Sequence, residues 1–121
     1  MDNALHLSPM IPSFDLKETA HFFEDVLAFR RARHDETYSI LHKNNLTVHV
    51  QRAGAEIGEQ SFYLEVDDID LLWEFIKYNV ASLRVKEPFD QAYGMREAHI
   101  IIPSTKTLLF IGQLIKNKLH T

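Results

Sequence analysis

The chain reads twice through the same order of elements. Shifting the sequence by 53 positions places Asp15 on Asp68, Leu16 on Ile69 and Phe22 on Phe75. In the first passage Leu5, Leu7, Pro9 and Ile11 alternate with His6, Ser8 and Met10, predicting a strand over Leu5–Ile11. Pro9 and Pro12 confine that strand to a sheet edge or a bulge. Asp15 reads as a helix N-cap, and Glu18 three residues on completes a capping box. Leu16, Phe22, Phe23, Val26 and Leu27 then follow at helical spacing, giving a helix over Leu16–Leu27. Strands are expected at Phe29–His34, Tyr38–His42 and Leu46–Arg52, with a turn at Asn44-Asn45. After a polar linker at Ala53–Gln60 the order begins again. Ser61–Val66 alternates as a strand, Asp68 caps a helix over Ile69–Val80, and strands return at Ser82–Val85, Met95–Ile102 and Leu108–Gln113. The tail Leu114–Thr121 could add a short basic helix.

An internal repeat of this kind decides the fold more than any single element. Each half reads βαβββ, and neither could bury both faces of its own sheet, so the two must pack together or a second chain must help. The expected architecture is α+β. Two βαβββ modules, at about 5–52 and 61–113, form a curved mixed sheet around a cleft, with the helices on the outer face. At 121 residues the whole chain, 1–121, is expected to be a single domain, and a 45% hydrophobic fraction with eight Phe supports a real core.

Strand alternation sorts the side chains between the two faces. Leu46, Val48 and Val50 oppose Thr47, His49 and Gln51, while Phe62, Leu64 and Val66 oppose Ser61, Tyr63 and Glu65. Leu5 and Leu7 oppose His6, Ser8 and Met10. The apolar sets should pack on the helices. The polar sets, rich in His, Tyr and Ser, would line the cleft, a composition typical of small-molecule sites. Phe22, Phe23, Trp73 and Phe75 sit at helical spacing and read as core. Tyr63 and Phe110 fall on the cleft face, where a flat ligand could stack on either ring.

Several function classes are disfavoured outright. The formal net charge is −4, and the basic cluster Arg30, Arg31 and Arg33 is too small for a nucleic-acid footprint. With no cysteine there can be no disulfide, thiolate metal site or Cys nucleophile. No segment approaches the roughly 18 apolar residues of a membrane span. Met1 to Met10 has no basic region followed by an apolar run, so no signal peptide is expected and the location is expected to be cytoplasmic. Ser8 and Ser61 sit in strands rather than a strained elbow, and no G-x-S-x-G or Gly-rich phosphate loop is present.

Two segments resemble the vicinal oxygen chelate superfamily, which contains glyoxalases, extradiol dioxygenases and bleomycin-resistance proteins. Pro12-Ser13-Phe14-Asp15-Leu16, running on to Phe22-Phe23-Glu24-Asp25-Val26-Leu27-Ala28-Phe29, looks like the family's first strand-to-helix passage ending in "FYxDvLGF". Tyr93-Gly94-Met95-Arg96-Glu97, with Ile102-Pro103-Ser104 and Leu108-Leu109-Phe110-Ile111-Gly112-Gln113, is similar to the "WGMRE…DPDGtLLxxxQ" ending of the bleomycin-resistance branch. Tyr93 replaces the usual Trp, and the Asp-Pro-Asp-Gly turn has become Ile-Pro-Ser-Thr-Lys.

By that resemblance, metal-dependent members place a His on the first strand of each half and a Glu on the last. The four places are held here by Ser8, His49, Ser61 and Phe110, one possible ligand where a divalent ion wants three or more donors. No cofactor is therefore expected. A rearranged site would have to gather His6, His49 and His99 with Glu65 or Glu97. His21, His34 and His120 are expected to be solvated. The resemblance implies a metal-free protein that sequesters an aromatic or cationic ligand, including a bleomycin-type antibiotic, in clefts of a homodimer with exchanged strands. His6, His49, Tyr63, Glu65, His99 and Phe110, with Ser8 and Ser61, would line each cleft. The alternative is a glyoxalase- or dioxygenase-like lyase or oxidoreductase with a rearranged metal site.

Overall fold

The computed structural model describes residues 3–115. The elements run β1 (Met10–Ser13), α1 (Leu16–Asp25), β2 (Arg30–His34), β3 (Tyr38–Lys43), β4 (Leu46–Arg52), β5 (Gln60–Glu65), α2 (Ile69–Ile76), β6 (Val85–Asp90), β7 (Met95–Ile101) and β8 (Thr107–Leu114). They form two four-stranded mixed sheets, ordered β1-β4-β3-β2 and β5-β8-β7-β6. In each sheet the first strand pairs parallel with the last, and the other pairings are antiparallel. The α+β architecture of two βαβββ modules is thus what forms. The chain divides into two compact units, one reaching to Glu59 and including Pro103–Lys106, the other comprising Gln60–Ile102 and the chain from Thr107.

In the first unit α1 packs on β2, β3 and β4. Leu16, Ala20, Phe22 and Phe23 are buried against Ile11, Leu41, Val48 and Val50 on the matching sheet face. Asp15 caps the helix as expected, accepting from the Glu18 N–H at 3.2 Å. The reciprocal half of the capping box does not form. The Asp15 N–H donates to Ser13 Oγ, and the Glu18 carboxylate accepts from Ser104 Oγ at 2.6 Å. Loop 103–106 is thereby tied to the start of α1. Thr19 Oγ1 donates to the Pro103 carbonyl at 2.9 Å and lies 2.7 Å from Ser13 Oγ, while the Phe14 N–H donates to the Ser104 carbonyl.

The second unit follows the same plan, with α2 on β6, β7 and β8. Ile69, Ile76, Ile100, Ile102, Leu109 and Ile111 fill its core. Asp68 accepts from the Leu71 N–H, and the side chain of Gln113 on β8 accepts from the Ile69 N–H at 2.8 Å.

Five expectations need correction. The first strand begins at Met10, not Leu5, and Leu5 and Leu7 are 85% and 100% exposed instead of packed on a helix. Pro9 has no N–H and gives the ladder only its carbonyl, which accepts from the His49 N–H. Pro12 is accommodated because β1 is an edge strand. The strand expected at Ser82–Val85 lies instead at Val85–Asp90, another edge, where a bulge between Lys86 and Phe89 accommodates Pro88. Helix α2 stops at Ile76 and continues as turns, short of Val80. Phe75, expected in the core, is 74% exposed beside exposed Leu71 and Tyr78. Finally, α1 ends two residues before Leu27. The tail reading lies outside the described residues, apart from Leu114, which ends β8, and Ile115.

Helix α1 ends in a left-handed residue that is not glycine. Ala28 has φ 60°, and the Phe29 N–H reaches back six residues to the Phe23 carbonyl at 2.9 Å, closing the end of the helix. An L-residue in that region costs roughly 1 kcal/mol that glycine avoids, partly offset by glycine's greater freedom when unfolded. Ala28→Gly is therefore expected to raise stability by about 0.5–1 kcal/mol in urea denaturation. A loss of stability would show that the Ala28 methyl contributes packing that outweighs the strain.

Candidate ligand-binding site

The register of the two sheets determines which side chains share a face. In the second unit Tyr63 on β5 is opposite Phe110 on β8, and Phe110 is opposite His99 on β7. His99 is opposite Lys86 on β6. One step along, Glu65 and Glu97 flank Gly112. The intervening residues Leu64, Ile111, Ala98 and Ile100 point the other way, toward α2.

Glu97 is the centre of this face. Its side chain is fully buried, yet all four of its acceptor positions are filled. Tyr63 Oη and Tyr93 Oη donate to Oε2 at 2.9 and 2.6 Å. Gln91 Nε2 donates to Oε1 at 3.2 Å, and His99 Nε2 lies 3.1 Å from the same oxygen. Because an ionised carboxylate only accepts, His99 must carry its proton on Nε2. Burial alone would raise the pKa of Glu97. The bonds from Tyr93, His99, Gln91 and Tyr63 outweigh that effect and bring its pKa down to about 2. Burial and the bond to Glu97 push the Tyr63 phenol well above the ordinary tyrosine range, and the bond to Glu97, with burial, raises Tyr93.

Glycine at position 112 makes this arrangement possible. The Tyr63 phenol lies across β8 to reach Glu97, and a Cβ on residue 112 would fall 1.7 Å from Tyr63 Oη. Above the carboxylate is an aromatic surface. Tyr63 and Phe110 stack at 6.2 Å with planes 15° apart, His99 leans on Phe110 at 4.4 Å, and Phe89 meets His99 edge-on at 5.2 Å. Lys86 Nζ sits 3.9 Å from the Phe89 ring centre.

The remaining expected site residues are elsewhere. Ser61 and Glu65 are exposed on the Tyr63 face of β5. His49 belongs to the first unit, where its Nδ1 lies 2.7 Å from Tyr38 Oη and the two rings meet edge-on. Arg33 stands over that tyrosine. His6 is exposed and Ser8 half-buried, both ahead of β1. His34, expected to be solvated, is half-buried with Nδ1 3.1 Å from Ser39 Oγ. An open hollow of about 520 Å³ in the first unit, between Phe14, Lys17, Glu36 and Arg52, contains none of the expected ligand residues.

The residues do not suit the superfamily's usual metal. At the four places that the resemblance assigns to the metal ligands, Phe110 offers an apolar ring and two of the others hold serine hydroxyls. His49 has one ring nitrogen engaged by Tyr38. Among the described residues no group of three or more His, Asp or Glu is arranged to hold a metal ion. Sequence reasoning passed over Tyr38, Phe89, Gln91, Tyr93 and Gly112 as site residues and considered Glu97 only as a metal ligand. Glu97 and His99 are two apart on one strand, so alternation alone placed them on one face. The donors from Gln91 and Tyr93 come from a turn and carry no such periodic signal.

No family model matches the chain. A bleomycin resistance protein of Geobacillus stearothermophilus is 26% identical over 129 aligned positions, covering 88% of this chain and 95% of the relative. The crystal structure of a bleomycin resistance determinant encoded on the transposon Tn5 superposes with a TM-score of 0.77 at 23% identity, covering 92% of this chain and 98% of that one. A bleomycin-binding protein from bleomycin-producing Streptomyces verticillus, complexed with copper(II)-bleomycin, superposes with a TM-score of 0.74 at 19% identity, covering 97% of this chain and all of that one. The fold is that of the superfamily which the two motifs resemble, and the lean of the second motif to the bleomycin-resistance side is borne out.

Two outcomes follow from the Glu97 geometry. Gly112→Ala is expected to drive Tyr63 off Glu97 and cost about 1–3 kcal/mol in chemical denaturation, most of which should vanish in a Tyr63→Ala background, because ring carbons as well as the hydroxyl lie within 3 Å of the added Cβ. Equal costs in the two backgrounds would place the clash elsewhere. The low folded-state value of Glu97 also sets an acid limit. An unfolded carboxyl titrates near 4.5, so this group's stabilisation is complete above that pH and is lost as pH falls toward 2. Thermal melts between those limits should be steeper in pH for the wild type than for Glu97→Gln.

Proposed function

We propose that this chain is a metal-independent small-molecule binding protein of the bleomycin-resistance type. It sequesters an aromatic or cationic ligand rather than transforming it. The observation that carries this reading is the pairing of a stacked aromatic surface, Tyr63–Phe110–His99, with the ionised and fully buried Glu97. The surface holds a flat group by stacking, and the carboxylate favours positive charge over neutral or negative ligands. Phe110, where the superfamily's metal-binding members have a carboxylate, contributes to the stacking surface instead of a Lewis-acid centre.

The ligand-bound relative from Streptomyces verticillus is described as binding copper(II)-bleomycin. A bleomycin-type ligand is the proposed ligand class here. In the proposed assembly two chains form a homodimer with exchanged strands. Each cleft is lined by Tyr63, Glu65, His99, Phe110 and Ser61, and by His6, Ser8 and His49. A cytoplasmic location fits a protein that intercepts a drug before it reaches its target. No helix among the described residues is long and apolar enough to cross a membrane.

Isothermal titration with metal-free bleomycin tests the reading. Sub-micromolar binding at one ligand per cleft is expected, together with a dimer in sedimentation and no bound metal by elemental mass spectrometry. Binding too weak to detect at millimolar ligand would overturn the ligand assignment. One tightly held metal ion per chain would overturn metal independence.

A further inference from the structure

The four donors around Glu97 are not held equally. Tyr63 extends from β5 and is pinned over Gly112 against Phe110, while His99 is wedged between Phe89 and Phe110 on β7. Tyr93 is different. It belongs to the turn joining β6 and β7, next to Gly94 at φ 89°, and is 63% exposed, yet its hydroxyl makes the shortest bond to the carboxylate, 2.6 Å. A mostly solvated ring therefore closes the outer side of a fully buried negative charge. Every acceptor position of Glu97 is filled, so an incoming cation can reach it only by displacing a donor. Tyr93 is the donor whose departure disturbs the least packing.

We propose that Tyr93 is a displaceable latch on Glu97, and that the carboxylate uncovered when it swings out is the binding subsite for an amidinium, guanidinium or ammonium group. The inference rests on the reading of this face as a ligand site. The exchange is favourable because a hydrogen bond between two charged partners is stronger than one from a neutral phenol to a carboxylate. It also explains why the carboxylate is kept ionised. Four donors hold the negative charge ready while no ligand is bound, and only one must leave. A neutral flat molecule could stack on Phe110 and Tyr63 but would gain nothing from opening the latch. Discrimination between a cation and its neutral isostere thus falls to Glu97, and affinity in the closed state is limited by Tyr93.

The test uses benzamidine, a flat aryl cation at neutral pH, and benzamide, its neutral isostere, titrated into the full-length protein by NMR. Benzamidine is expected to bind roughly tenfold more tightly than benzamide, the usual margin of a charged over a neutral hydrogen bond. Tyr93→Phe removes the competing hydroxyl from an exposed ring and should tighten benzamidine binding several-fold while leaving benzamide unchanged. Glu97→Gln should abolish the preference between the two probes. Thermal melts check that each variant is folded, and Tyr93→Phe carries the test if Glu97→Gln is not. Equal binding of both probes by the wild type, or an unchanged benzamidine affinity in Tyr93→Phe, would overturn the latch. Bleomycin titrated into the same proteins separates the two ideas. If bleomycin binds the wild type and Tyr93→Phe equally tightly, sequestration stands and the latch falls. If bleomycin fails to bind while benzamidine shows the expected pattern, the latch stands and the ligand assignment falls.

Discussion

A carboxylate withdrawn from water must be supplied with hydrogen bonds or give up its charge, and much of the second unit is arranged around that requirement at Glu97. Its donors come from three places: strand β5 through Tyr63, the β6–β7 turn through Gln91 and Tyr93, and its own strand through His99. Meeting the requirement also determines what stands on neighbouring strands. Residue 112 must lack a side chain so that Tyr63 can cross β8. Residue 110 can then be a large ring, since Tyr63 lies flat against it. The aromatic surface and the buried charge are therefore one construction.

The two halves keep one register while their side chains differ. Met10, His49, Ile40 and Arg33 lie in a row across the first sheet, and Tyr63, Phe110, His99 and Lys86 occupy the corresponding row of the second. A positive residue ends both rows. In the first row His49 meets Tyr38 of the neighbouring row, while the second row is built of stacked rings. The same comparison places Tyr38 where the second half has Glu97, so a phenol stands in one half where the other has the carboxylate that phenols serve.

Periodicity made much of this legible. Alternation in Leu46–Arg52 and Ser61–Val66 sorted His49, Tyr63 and Glu65 from Val48, Val50 and Leu64 correctly, and the resemblance of two short motifs pointed to the superfamily whose fold the chain shares. The failures have physical causes. Leu5 and Leu7 alternate well, but alternation does not register that proline withholds a ladder donor. Phe75 shares its helical spacing with Phe22, yet exposure depends on what a neighbouring element covers, which spacing does not encode. Asp15 and Glu18 have the pattern of a capping box. The second bond was lost because Ser104, eighty-six residues away, competes for the same carboxylate. Glu97 was visible only as a possible metal ligand, because three of its donors come from another strand and a turn.

The loop Pro103–Lys106 lies, by order along the chain, inside the second repeat, but it packs with the first unit. It supplies the carbonyl for the Thr19 hydroxyl, the carbonyl for the Phe14 N–H and the hydroxyl for Glu18. A polypeptide ending at Glu59 would keep every strand and helix of the first repeat and still leave the start of α1 without these partners. The boundary that divides the sequence into two similar halves is therefore not the boundary between the two compact units.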